Sequence, residues 1–332
     1  MKHSVILLAL VIAAVIFCDA ESGPATRRDA ALSKVDACLK RNERSSHDCK
    51  KLNENIEVLV EVYRSGDKSV LPTLLKFTYL TEFYDEALLG DPVAFLETVS
   101  ALPEESQRQV AVGVAGGVFT PLPKVQFVAL RTALTNIPKS SPVAPTAQQV
   151  LKELETNNAS LFVTYFPPQT FTTRSAPLQT FWYSRDLYAL GEQPLWPPAS
   201  SPMTTYRFTR LGAFNGPESV TLTVLPDGAG NARIKKLKDG KLEDHSKSVT
   251  AEDIAKFSRE VTEADYWHMP TELASGGLDG AYWILEGVQD NEYHIVVRWC
   301  PGMESHDQQT LAFANAARML YEFSGYKRPN RC

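Results

Sequence analysis

The chain has 332 residues, is 44% hydrophobic and 10% aromatic, and carries a formal charge of −5. That length favours two domains over one, and that composition excludes a mostly disordered chain. The mild acidity argues against a nucleic-acid partner, which calls for a basic excess or patch.

Lys2 and His3 precede an apolar run over residues 5–17, which is followed by Cys18-Asp19-Ala20. This is the pattern of a signal peptide over residues 1–20, cleaved after Ala20, and it implies an exported protein, periplasmic or extracellular. The run is too short for a good membrane span, and no other segment approaches 18 apolar residues, so the mature chain is expected to have none. Lipid attachment at Cys18 is the alternative, and Phe17 fits a lipoprotein signal badly. Four cysteines remain after cleavage: Cys38, Cys49, Cys300 and Cys332. An even number in an oxidising compartment points to disulfides. Three pairings are possible, and proximity favours Cys38–Cys49 with Cys300–Cys332. There is no C-x-x-C arrangement and no histidine at metal spacing beside a cysteine, so no metal is expected, nor any cofactor.

Residues 21–30 read as a polar, disordered leader. Residues 31–164 then follow a helical period. Leu52, Ile56, Leu59, Val60 and Tyr63 recur at three-four spacing. Asp91-Pro92 is a helix start, with Asp to cap the free amides and Pro at the first helical position, where no hydrogen bond is lost. Further short helices follow over residues 103–117, 123–136 and 146–156. The expected architecture is an all-α antiparallel helical array, either like HEAT-type solenoids or an irregular bundle; no fixed-period repeat is visible.

Residues 165–204 mix seven prolines with Phe166, Phe171, Phe181, Trp182, Tyr183, Tyr188 and Trp196. Proline interrupts regular ladders, while the aromatics need covering, so the stretch reads as an extended connector packed on one or both domains. Residues 205–332 read as an α+β domain of order β-β-β-α-β-β-α, an antiparallel sheet with helices on one face. Its third strand carries Arg233-Ile234-Lys235-Lys236-Leu237-Lys238, a basic cluster answered by Asp239, Glu243 and Asp244. A solvated strand face is expected there rather than an anion site.

The best-specified piece is a β-hairpin over residues 281–300. Two apolar runs flank Asp290-Asn291, a pair that tolerates the positive φ of a tight turn. Val288 should then face Tyr293, Glu286 face Ile295, Ile284 face Val297 and Tyr282 face Trp299, on a core face. Gly287 should face His294, and Trp283 should face Arg298, on the other.

Together with Y-R-F at residues 206–208, the segments L-D-G-A-Y-W-I-L-E-G-V and Y-H-I-V-V-R-W-C-P carry a resemblance. Residues 205–300 resemble a domain of uncharacterised exported bacterial proteins in the spacing of Trp283, Glu286, Tyr293, His294, Arg298 and Trp299. Similar proteins often have an acidic residue where Val297 stands and Ser where Cys300 stands. The resemblance brings no established activity.

No H-E-x-x-H, G-x-S-x-G, P-loop, G-x-G-x-x-G or EF-hand pattern is present. What remains are polar residues within apolar strands. Glu286 on a core face is either a shifted acid/base group or is satisfied by Arg207 or Arg210. His294, opposite Gly287, has room for a ligand or a neighbouring backbone and could transfer protons. Asp279 could complete a hydrolase-like trio with them, although strand register splits Glu286 from His294. Trp283 and Arg298 suggest a cation–π pair or a binding element. The expected function is an exported, non-enzymatic binding or scaffolding protein whose partner is a protein or envelope component. The alternative is a cell-envelope hydrolase using Glu286, His294 and Asp279.

Overall fold

The computed structural model describes residues 24–41, 51–77, 80–117, 121–172, 176–199, 203–212, 216–238, 240–273, 280–301 and 308–325. Residues 1–20, the stretch expected to be a signal peptide and containing Cys18, lie outside them, as do Cys49, Asp239, Asp279 and Cys332. The chain divides into two compact units, one of Met1–Gly117 with Val125–Leu154, the other of Val118–Lys124 with Glu155–Cys332. The first is helical and the second holds a six-stranded antiparallel sheet with helices. A helical region followed by an α+β region is what the sequence implies.

The helical unit contains α1 (Pro24–Arg41), α2 (Leu52–Arg64), α3 (Leu71–Leu74), α4 (Thr81–Gly90), α5 (Pro92–Ser100), α6 (Glu104–Val114) and α7 (Lys124–Thr135), and α8 (Ala144–Asn157) contains its final boundary. The leader expected to be disordered is helical from Pro24, which corrects that reading. Its charges are answered by the neighbouring chain. Arg28 donates to Asp67 at 2.9 Å, and Arg27 lies 3.8 Å from Glu61. Hydrogen bonds from Ser69 and Arg28 hold the Asp67 carboxyl down at about 2. α1 packs on α2, burying Ala31, Val35 and Cys38 on one helix and Ile56, Leu59 and Tyr63 on the other. The α5 start is as expected, with Asp91 accepting from the Ala94 amide at 3.1 Å and Pro92 in the first turn.

Among the described residues of this unit one carboxyl is buried without a cation. Asp85 on α4 accepts from Gln126 through one oxygen, and its other oxygen has no hydrogen-bond partner. Burial pushes Asp85 up to about 7 from 3.8, against the lowering effect of the Gln126 bond.

In the second unit the strands are β1 (Thr205–Gly212), β2 (Glu218–Val224), β3 (Gly230–Lys238), β4 (Lys241–Val249), β5 (Ala281–Gln289) and β6 (Glu292–Trp299). They stand in the order β4-β3-β2-β1-β5-β6. The helices are α9 (Ala176–Ala189), α10 (Ala251–Glu263) and α11 (Gln308–Glu322). β4 is absent from the sequence reading because it lacks the alternation that marks a half-buried strand. Lys241 to Ser248 are all exposed on this edge. The β5–β6 register agrees with the expected one residue by residue, and Asp290 and Asn291 take φ of 51° and 65° at the turn.

Both faces of the sheet are buried at β1, β5 and β6. One face packs Tyr206, Phe208, Leu222, Trp283, Leu285 and Val296 against Phe257 of α10 and Phe313 and Leu320 of α11. The other packs Ile284, Ile295 and Val297 against Tyr165, Phe166, Phe171, Tyr183 and Leu187. Helices on one face only, and an extended connector, are therefore both corrected. The aromatic stretch contains α9 and forms the second layer of the sheet. Pro177 is no obstacle, because it sits in the first turn of α9, where the amide has no helical acceptor.

Two predictions follow from these packings. Between about pH 4 and pH 7 the folded Asp85 holds a proton that the unfolded residue, at 3.8, has lost. Stability should therefore fall as pH rises through that window, and Asp85→Asn should flatten the fall in a series of thermal melts. At Gly287 a Cβ would come within 3.0 Å of the Tyr266 ring and 3.2 Å of Trp267 and Tyr206. Gly287→Val should cost about 1–3 kcal/mol through overpacking in urea denaturation.

Candidate functional site

One polar row crosses the sheet on the face that carries the aromatic layer. Ser246 on β4 pairs with Arg233 on β3, Arg233 with Thr221 on β2, Thr221 with Arg207 on β1, and Arg207 with Glu286 on β5. β1 lies in the middle of the sheet, and Arg207 and Glu286 are both fully buried. A charge so placed needs a partner of opposite sign and full hydrogen bonding. Arg207 has both. Its Nε and Nη2 donate to the two carboxylate oxygens of Glu286 at 2.7 and 2.8 Å, a bidentate pair. Its Nη1 donates to the Gln193 carbonyl at 2.7 Å. Tyr293 adds a hydroxyl donor to Glu286 at 3.0 Å.

Burial alone would lower the Arg207 guanidinium, but the negative charges of Glu286 and Glu192 leave it above its ordinary value. The Tyr293 hydroxyl is pushed well up, first by burial and then by Glu286. Neither group exchanges protons in the ordinary range, so the assembly is a fixed electrostatic element.

The wall over this floor comes from the end of α9. Gly191 takes φ of 62°, its amide bonds to the Tyr188 carbonyl, and the Glu192 amide bonds to Leu187. This is a Schellman ending, which places glycine at the one position that needs a left-handed residue. It turns the Gly191 carbonyl and the Glu192 side chain onto the sheet. Lys235 donates to that carbonyl at 2.5 Å, and Ser219 donates to Glu192 at 2.7 Å. Glu192 lies 3.7 Å from both Lys235 and Arg207.

Between wall and floor is a pocket of about 430 Å³. Glu192, Gln193 and Leu195 form its wall, Arg207, Thr221, Thr223 and Leu225 line it from β1, β2 and the following turn, and Asn231, Arg233, Lys235 and Ser246 line it from β3 and β4. The volume is within the range of small-molecule sites. The Thr221 hydroxyl is buried there without a hydrogen-bond partner. Arg233, at the rim, is held by a bidentate bond to Asp244.

The basic cluster is thus only partly a solvated face. Lys235 is 3% exposed and belongs to the pocket, which overturns the expectation for that residue. Its burial depends on Gly191 and Glu192, more than 40 positions earlier, and no local pattern reveals it.

The hydrolase trio does not assemble. Glu286 faces Ile295 on the pocket side, whereas His294 faces Gly287 on the opposite side of the sheet. Asp279 lies outside the described residues. The space expected beside His294 is filled: its ring packs on Tyr266 and Trp267 at centroid distances of 5.0 and 6.1 Å. Burial pushes the His294 imidazole down. Trp283 and Arg298 are register partners, yet each has another stacking contact. Arg298 lies over Phe313 and Arg318 over Trp283, both at 5.8 Å. Arg298 also donates to the carbonyls of Pro270, Thr271 and Val297. Its role is to tie the loop after α10 to β6, well away from the pocket.

Among the described residues no group of histidine, cysteine and carboxylate side chains could hold a metal, and no helix is long and apolar enough to cross a membrane. No protein-family model matches the sequence, and no curated protein is significantly similar to it.

Glu286→Gln should destabilise the fold by roughly 3–5 kcal/mol, because it leaves a buried guanidinium without its bidentate countercharge. Arg207→Met combined with Glu286→Leu should recover most of that loss. Denaturant titration of the single and double variants checks both expectations.

Proposed function

We propose that the protein is an exported binding protein without a catalytic role, and that its sheet-bearing unit takes a small polar ligand in the pocket above Arg207. The observation that carries this reading is the pocket itself, a concave site with a polar floor fixed by a buried ion network. Pre-organised polar groups lower the cost of ordering on binding. Hydrolysis is disfavoured because Glu286 is engaged by Arg207 and Tyr293, while His294 points to the other side of the sheet. The helical unit, rich in short helices, is assigned to contact with a protein or envelope component. The likeness of residues 205–300 to a domain of exported bacterial proteins belongs to the same reading.

Export is supported by the pattern of residues 1–20 and by cysteine usage. Cys38 and Cys300 are each disulfide-bonded. Cys49 and Cys332 are assigned as their respective partners because they are the nearest in sequence. Closing a loop of about 33 residues would contribute on the order of 3.5–4 kcal/mol by chain entropy, and the shorter loop about 3.

Native mass spectrometry of the full chain, purified without denaturation from the compartment where it accumulates, should show a bound species of small-molecule mass. A wholly ligand-free protein under those conditions would count against the reading. Amino-terminal sequencing should begin at Glu21, and non-reduced peptide mapping should recover Cys300 joined to Cys332. Free thiols at either position, or a link from either to Cys38 or Cys49, would refute the pairing.

A further inference from the structure

We infer that the pocket holds its ligand by an oxyanion, seated between Lys235, Arg207 and the hydroxyl of Thr221. This rests on the reading of the pocket as a small-ligand site and specifies what enters it. The lining is rich in donors. An ammonium has three N–H groups; Lys235 directs one at the Gly191 carbonyl at 2.5 Å, and Glu192, at 3.7 Å, is too distant for a hydrogen bond. The Arg207 fork of five N–H groups uses three in the contacts to Glu286 and Gln193. The Thr221 hydroxyl is buried with no partner at all, a costly state that an incoming acceptor oxygen would relieve.

Two acceptors of the lining are already engaged. Glu192 takes the Ser219 hydroxyl, and the Gln193 carbonyl takes Arg207. Charge points the same way. Three cations line the pocket, Arg207, Arg233 and Lys235, with one carboxylate, Glu192. Two further carboxylates balance these cations without lining the cavity. Glu286 binds Arg207 from β5, and Asp244, opposite Lys235 in register, gives both oxygens to Arg233. Of the three countercharges, Glu192 borders the cavity 3.7 Å from both Lys235 and Arg207, while Glu286 and Asp244 stand outside it. A ligand carboxylate or phosphate satisfies the spare donors without displacing an existing pair. Its remaining atoms would meet the hydroxyls and amide of Thr223, Asn231 and Ser246, and the apolar side chain of Leu225. A hydroxylated acid or a phosphate ester has that chemistry.

The test is isothermal titration of the full chain with sodium glucuronate, glucose 6-phosphate, inorganic phosphate and glucose. At least one of the two sugar acids should bind, with glucose weaker by about tenfold or more, as expected for loss of charge-assisted hydrogen bonds. The tighter of the two acids identifies carboxylate or phosphate as the group. If inorganic phosphate alone binds, and Thr221→Val weakens it, the oxyanion seat stands without the sugar. Thr221→Val keeps the side-chain volume, so it should weaken the acid several-fold with its melting curve little changed. Lys235→Met should weaken it further wherever that variant folds. Glucose binding as tightly as the acids would overturn the oxyanion assignment and leave the small-ligand site standing. Acid binding unchanged in Thr221→Val and in folded Lys235→Met would place the acid elsewhere and overturn it as well. No binding by any probe would count against both readings.

Discussion

A guanidinium buried at the middle of a sheet must have its charge answered, and much of the sheet-bearing unit follows from how Arg207 meets that demand. Its bidentate partner is Glu286 on the adjacent strand, and its third bond goes to a backbone carbonyl of the segment after α9. A buried ion pair is weak evidence for stability, because the cost of desolvating two charges can equal their attraction. It is better understood as a constraint on geometry. A one-residue slip of β1 against β5 would move Arg207 onto the face now occupied by Tyr206 and Phe208, where its surroundings are apolar. The pair therefore fixes register, and through Gln193 it also fixes the wall of the pocket.

The wall depends in turn on a helix ending. Gly191 in the left-handed region lets α9 stop and present one carbonyl and one carboxylate to the sheet within two residues. On the same side, the aromatic rings at and before α9 cover β5 and β6, while the pocket opens over the four strands from β1 to β4. One face of the sheet thus does two jobs. Its apolar half is packed, and its polar half is held open by side chains whose charges are tied down. The opposite face, closed by α10 and α11, is core.

How much of this was legible in the sequence depended on whether the cause was local. The hairpin could be read residue by residue, because a period of two and an Asp-Asn turn determine it within twenty positions. The cap at Asp91 was legible for the same reason. Arg207 could be named as a possible partner of Glu286, since a buried carboxylate requires one, but choosing it over Arg210 required the β1–β5 pairing. Strand β4 was hidden by its exposure and α9 by the prolines around it. The pocket was hidden more deeply. It joins residues 191–195 to strands that begin ten or more positions later, and Lys235 looks solvated until the Gly191 carbonyl is brought to it. The hydrolase trio was disfavoured by parity alone, since residues 286 and 294 fall on opposite faces in the expected register.

The central claim is that the Arg207–Glu286 pair is retained for the pocket rather than for stability. The most direct measurement is titration of whichever sugar acid binds the wild-type chain more tightly, sodium glucuronate or glucose 6-phosphate, into the folded double variant Arg207→Met, Glu286→Leu, beside the wild-type chain. The account predicts that the double variant melts within a few degrees of wild type yet binds the acid at least tenfold more weakly, a loss of about 1.4 kcal/mol or more. Undiminished binding in a variant of equal stability would contradict it.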